Sequence, residues 1–187
     1  MRVVAGKYRS RQLGALRGVK LRPTSDRLRE TLFDILGPSV EGAVFVDLYA
    51  GTGAVGIEAL SRGVREVFFV ESHRAGLALI RRNLESLGIA SGAEVLPLDA
   101  VRGCGLLESR GVQADFVFLD PPYGEAGEYE RALEFLGHAK LLATMGRVIA
   151  EYARKNAPST LRTGLECVRV VEQGDAALGF YRLEARA

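Results

Sequence analysis

Asp47-Leu48-Tyr49-Ala50-Gly51-Thr52-Gly53-Ala54-Val55-Gly56 is the stretch on which the reading of this chain turns. It follows the apolar run Ala43-Val44-Phe45-Val46 and opens a helical pattern through Ile57 and Leu60. A GxGxxG between a strand and a helix lets backbone approach a nucleotide-like ligand, and alone it is a weak signal. Asp47 tips the reading. Two like charges about 4 Å apart repel by roughly 4 kcal/mol at an effective dielectric of 20, so a pyrophosphate beside this carboxylate is disfavoured. S-adenosylmethionine carries a sulfonium and an ammonium and no phosphate, so an acidic strand end suits its methionine portion. Asp47, Ala50, Gly51, Thr52 and Gly53 are therefore expected around that cofactor.

Outward from this loop, β-rich apolar runs alternate with helical patterns at the spacing of βα units. The expected strands are 43–48, 66–71, 93–98, 114–119 and 146–151. Leu77, Ile80, Leu84 and Leu87, and then Tyr129, Leu133 and Leu136, recur at helical spacing as core-facing stripes. The class is α/β, a Rossmann-like sheet that is mostly parallel and covered on both faces. The tail differs. Cys167–Val171 and Gly179–Leu183 flank a turn at Gly174-Asp175, which reads as an antiparallel hairpin. Ahead of the sheet, Thr24 or Asp26 is expected to cap a helix with Leu28, Leu32, Ile35 and Leu36 on one face, stopped by Gly37-Pro38. The 187 residues read as one domain, with a basic arm and helix over 1–40 and a sheet core over 43–187.

Further carboxylates fall at the strand ends. Glu71, 20 residues after Gly51, is placed to accept hydrogen bonds from ribose hydroxyls. Asp99, followed by Ala100, is placed to accept from an adenine amine. Asp120-Pro121-Pro122-Tyr123 follows the apolar strand Phe116-Val117-Phe118-Leu119. An exocyclic amine on a base is a poor nucleophile while its lone pair is delocalised into the ring. Acceptors for both of its N–H bonds help to localise that pair. Asp120 and a prolyl carbonyl supply them, two prolines contribute no competing N–H, and Tyr123 offers a face for an extruded base. These four residues are the expected catalytic set.

A net charge of +2 hides an asymmetry: residues 1–30 hold nine basic residues against Asp26 and Glu30, a net +7. Arg2, Lys7, Arg9, Arg11, Arg17, Lys20 and Arg22 are spaced irregularly around Gly6, Gly14 and Gly18, as in an extended arm or hairpin that tracks phosphates. Tyr8 is available there to pack on a sugar or base. Cys104 and Cys167 form no CxxC pair and are expected as buried, reduced thiols. No metal set is expected, and His73 and His138 read as surface residues. The start lacks an apolar signal core and no run approaches the roughly 18 apolar residues of a membrane span, so a cytoplasmic, monomeric protein is expected.

Four segments carry a resemblance that covers nearly the whole chain. They are Arg2-Val3-Val4-Ala5-Gly6-Lys7-Tyr8-Arg9, Leu21 to Phe33, Ala50 to Gly53 with Glu58-Ala59-Leu60-Ser61-Arg62-Gly63, and Asp120 to Tyr123. Together these resemble the bacterial methyltransferases that modify the N2 amine of a guanine in 16S ribosomal RNA. The resemblance implies a seven-stranded class I methyltransferase fold, S-adenosylmethionine as donor, the guanine usually numbered 966 as target, and 16S rRNA or the small ribosomal subunit as partner. It also implies that the Arg22 to Glu30 segment, with Arg22 and Thr24, closes over the methionine end of the cofactor. Arg102-Gly103-Cys104-Gly105 departs from the pattern, with glycines where a firmer helix is expected. A DNA adenine-N6 methyltransferase would share the four-residue motif, although no insertion here is long enough for a target-recognition domain. A protein glutamine-N5 methyltransferase, an NAD-dependent oxidoreductase read from GxGxxG, and a non-catalytic RNA-binding assembly factor each share one feature.

Overall fold

The computed structural model describes residues 1–15, 25–122, 126–158 and 164–184. Its elements run α1 (Asp26–Leu36), β1 (Val44–Leu48), α2 (Ala54–Ser61), β2 (Glu66–Val70), α3 (Arg74–Ser86), β3 (Ala93–Leu96) and α4 (Ala100–Ser109). They continue with β4 (Ala114–Leu119), α5 (Ala126–His138), β5 (Leu142–Ala153), β6 (Leu165–Gln173) and β7 (Ala176–Leu183). The seven strands form one sheet in the order β3-β2-β1-β4-β5-β7-β6, parallel except where β7 runs antiparallel to β5 and β6.

Period-2 alternation along buried strands divides the core between the two faces. Phe45, Phe69 and Phe118 pack with Phe33, Ile57, Ile80 and Leu84 on one side. Val44, Val46 and Leu48 pack with Leu107, Leu133 and Leu136 on the other. The chain builds outward from β1 through β2 to β3, then crosses to β4 on the opposite side of β1. That reversal places a crevice at the carboxyl ends of β1 and β4, the usual ligand position in open α/β sheets.

Several expectations shift in detail. The cap of α1 is Ser25, whose hydroxyl accepts from Leu28 N at 3.1 Å, so Asp26 is the first helical residue and Thr24 lies outside the described residues. β5 begins four residues earlier than expected, because Leu142 already pairs with Ala114 before the register shifts between Ala114 and Phe116. The glycines of α4 do not break it: a Cβ on Gly103 would lie 2.5 Å from Val70 Cγ1, so close packing on β2 requires the missing side chain. Cys104 is buried as expected, whereas Cys167 is exposed on the edge strand β6.

Residues 1–15 are neither a free arm nor wholly solvated. Arg2 bridges to Gln12 in an antiparallel turn whose Val3 and Leu13 are buried in the core. Tyr8 is partly buried against the same core, with Lys7 Nζ 5.4 Å from its ring centroid. Gly6 meets the carboxyl end of α2 so closely that a Cβ would lie 1.8 Å from the Ser61 carbonyl oxygen.

Candidate active site

The backbone after β1 turns sharply. Tyr49 has φ 58°, an uncommon left-handed conformation for a side chain of this size, and Gly51 and Gly53 follow at φ 55° and 75°. Ala50 N donates to Val70 O at 3.1 Å, which fixes the loop to β2. Gly56 packs flat on that strand, since a Cβ there would lie 2.3 Å from Phe69 Cε1. The three glycines therefore divide their work between turning and close packing.

Asp47, expected to face a ligand's positive charge, is only 2% exposed. Its Oδ2 accepts from Gly56 N in the first turn of α2 at 2.9 Å. Burial pushes its pKa up to about 8; the Gly56 bond opposes this, and the nearby Glu71 carboxylate adds to it. The neutral acid is thus favoured at pH 7 in the absence of a neighbouring cation. Glu71 lies beside it at the end of β2, buried, with its two oxygens accepting from Gly51 N and His73 N, each at 2.7 Å. Gly76 makes room, because a Cβ there would lie 2.9 Å from Glu71 Cγ. Asp99 caps α4 by accepting from Arg102 N at 3.0 Å, and its side chain remains 44% exposed beside buried Ala100.

Asp120 emerges from β4 in a partly buried position, followed by buried Pro121 and half-buried Pro122. Among the described residues, no hydrogen bond or ion pair engages its carboxylate. Burial raises its pKa well above the usual carboxylate range, and the Glu151 and Asp47 carboxylates push it further in the same direction. Tyr123 lies outside the described residues, as do Arg17, Lys20, Arg22 and Thr24.

Glu151 was not anticipated. It is 4% exposed and follows Ala150, the register partner of Leu119, so it stands beside Asp120 at the sheet's carboxyl edge. The available signal was the one used for the others, a carboxylate closing the apolar run Val148-Ile149-Ala150. A second missed link is Tyr49, whose hydroxyl donates to Glu128 Oε2 at 2.9 Å and ties the glycine loop to α5.

The basic hairpin joins the site from the side. Buried Glu58 accepts from Val4 N and Ala5 N, and Asn83 bridges the hairpin to the loop by accepting from Gly14 N at 2.8 Å and donating to Thr52 O at 2.9 Å. Among the described residues, no group of three or more His, Cys, Asp or Glu is arranged to hold a metal, and no helix is long and apolar enough to cross a membrane.

The chain is 33% identical over 186 residues to ribosomal RNA small subunit methyltransferase D of Escherichia coli K12, covering 100% of this chain and 91% of that protein. It is 35% identical over 155 residues to YlbH of Bacillus subtilis, covering 83% and 84%. The solved structure of yhhF from Escherichia coli superposes with a TM-score of 0.83 at 30% identity, covering 100% and 99%. The family described as conserved hypothetical protein 95 matches residues 1–182, and the chain belongs to it.

Proposed function

We propose that the protein transfers a methyl group from S-adenosylmethionine to ribosomal RNA, at the exocyclic N2 amine of the guanine usually numbered 966 in 16S rRNA. The observation that carries this reading is Asp120: a carboxylate without a protein partner among the described residues, beside the glycine loop and followed by two prolines. The names of the relatives support the RNA methyltransferase class, and the resemblance of the opening segments supports the particular guanine.

The acidic crevice fits this donor better than a dinucleotide. The Glu71 carboxylate raises the pKa of Asp47, and Asp47 raises that of Asp120, an arrangement that a cation relieves and a pyrophosphate worsens. Glu71 is assigned to the ribose hydroxyls, Asp99 to the adenine amine, and Ala50, Gly51, Thr52, Gly53 and Ala100 to the walls around them. When bound, S-adenosylmethionine supplies an electrophilic methyl carbon on a positively charged sulfur. The protein's own part is placement. Asp120 and the Pro121 carbonyl accept the two N–H bonds of the amine, which localises the nitrogen lone pair toward that carbon. Neither Pro121 nor Pro122 offers an N–H that would compete for these acceptors. Tyr123 is assigned to stack on the extruded base. Methyl transfer would form the N–C bond as the S–CH3 bond breaks, with the demethylated thioether leaving, and the amine would then give up one proton to an ionised Asp120 carboxylate or to solvent.

The basic hairpin supplies the RNA contact, with Arg2, Lys7 and Arg9 exposed on it. Titration calorimetry tests the cofactor assignment. S-adenosylmethionine or its demethylated product should bind and NAD should not; the reverse result would overturn the methyltransferase reading.

A further inference from the structure

Between the docked hairpin and α1 lies a cleft of about 450 Å³ lined by Arg2, Arg9, Ser10, Asp26, Arg27 and Glu30. Three arginines face two carboxylates there, and Glu30 has no ion pair to a described residue. Asp26 is already engaged by Arg29 at 2.8 Å and by Arg2 at 3.8 Å. The guanidinium groups of Arg9 and Arg27 have no hydrogen bond or ion pair to any described residue. Ser10 has φ 66°, and with Tyr49 it is one of two non-glycine residues at positive φ among the described residues. Such conformations persist where surrounding structure enforces them, and they gather at ligand sites. One of the two is in the glycine loop; the other lines this cleft.

The hairpin that forms one wall of the cleft also touches the glycine loop. Met1, adjacent to Arg2, places its Sδ 3.9 Å from Thr52 Oγ1 in the glycine loop. The other hairpin cations are occupied or face elsewhere. Arg11 Nη2 donates to Ser86 O at 3.1 Å, at the carboxyl end of α3. Lys7 lies 5.4 Å over the Tyr8 ring, where the hairpin meets Ser61 at the far end of α2.

We infer that this cleft is a phosphodiester-binding site, in which Arg9 and Arg27, assisted by Arg2 and the Ser10 hydroxyl, hold a backbone phosphate of the RNA strand that carries the target base. The inference rests on the RNA methyltransferase reading and deepens it: the charged arm becomes a built site with two principal cations. Guanidinium forks suit phosphate oxygens, and one phosphate contact on a single strand contributes about 0.7 to the log–log salt slope.

The test measures binding of an unmodified 16S rRNA transcript across a salt series for wild type, the double variant Arg9→Ala/Arg27→Ala, and Arg11→Ala. Thermal unfolding checks folding, and S-adenosylhomocysteine titration checks that the cofactor site is intact. The double variant should bind RNA at least about tenfold more weakly, as loss of charge-assisted hydrogen bonds implies. Its slope should be shallower by about 0.7 for each phosphate released, with cofactor affinity unchanged. Arg11→Ala should keep the wild-type slope. A double variant with wild-type slope and affinity would overturn the cleft while leaving the methyltransferase reading in place, provided that wild type methylates the transcript. An equal slope change in Arg11→Ala would assign the effect to bulk charge and also overturn it. If wild type binds RNA through these arginines but transfers no methyl group to it, the cleft stands and the methyltransferase reading falls. If wild type does not bind RNA, both fall.

Discussion

The carboxylate of Glu58 accepts two consecutive backbone N–H groups, from Val4 at 2.7 Å and Ala5 at 3.0 Å, and Arg62 Nε donates to the same carboxylate at 2.9 Å. One buried side chain on α2 therefore fixes the basic hairpin to the helix that begins at the glycine loop. Replacing it with alanine would strand two N–H donors and a guanidinium, a change that costs about 3 kcal/mol. Glu58→Ala is expected to lower the melting temperature by roughly 6–12 °C in a chain of this size, and Glu58→Gln, which keeps an acceptor, by clearly less. Circular dichroism melting of both variants checks the order.

Asp47 makes stability depend on pH. Its folded pKa of about 8 lies above the ordinary value of 3.8, so its contribution is fully present below about pH 4 and is lost as pH rises through about 8. Asn at this position would keep an acceptor for Gly56 N and remove the ionisation. Asp47→Asn should therefore melt higher than wild type, with a gap that widens from pH 4 to pH 8 and then levels off at up to a few kcal/mol. Melting curves without ligand at three pH values decide it.

The same group should couple cofactor binding to protons. A sulfonium near Asp47 favours the carboxylate, so wild-type affinity for S-adenosylmethionine should rise with pH toward about 8, with net proton release below it. In Asp47→Asn that rise should flatten and affinity at pH 8 should fall. Calorimetry in buffers of different ionisation enthalpy measures the proton count.

Asp120 and Glu71 should fail in different ways. Asp120→Ala is expected to lower turnover by orders of magnitude while keeping cofactor affinity, whereas Glu71→Ala should weaken the cofactor by about 1.5–3 kcal/mol through lost charge-assisted hydrogen bonds. Glu151 raises the Asp120 pKa, so Glu151→Gln should move the acid limb of the pH–rate profile to lower pH. Single-turnover rates with both substrates saturating separate the three variants.

Legibility in the sequence followed the strength of the local signal. Strand-end carboxylates and the glycine loop could be read because β1 and β2 are short, apolar and buried throughout or nearly so. The two-faced core was legible for the same reason, through stripes such as Leu77, Ile80 and Leu84. Contacts between distant segments were not. Nothing local to Glu58 indicates that its partners are Val4 and Ala5, 54 and 53 residues away. The docking of the hairpin was hidden by its composition, since its charges resemble a solvated arm while Val3 and Leu13 do the packing. Arg29, fully buried with Nη2 donating to Arg2 O at 2.7 Å, shows the same limit: a charge on a helix reads as surface until the segment covering it is known.

The central claim is tested most directly by incubating the protein with methyl-labelled S-adenosylmethionine and unmodified 16S rRNA, free and in the small subunit, and then digesting the RNA to nucleosides. The account predicts label in N2-methylguanosine, lost with Asp120→Ala. Label in N6-methyladenosine, or no transfer to either RNA by a protein that binds the cofactor, would contradict it.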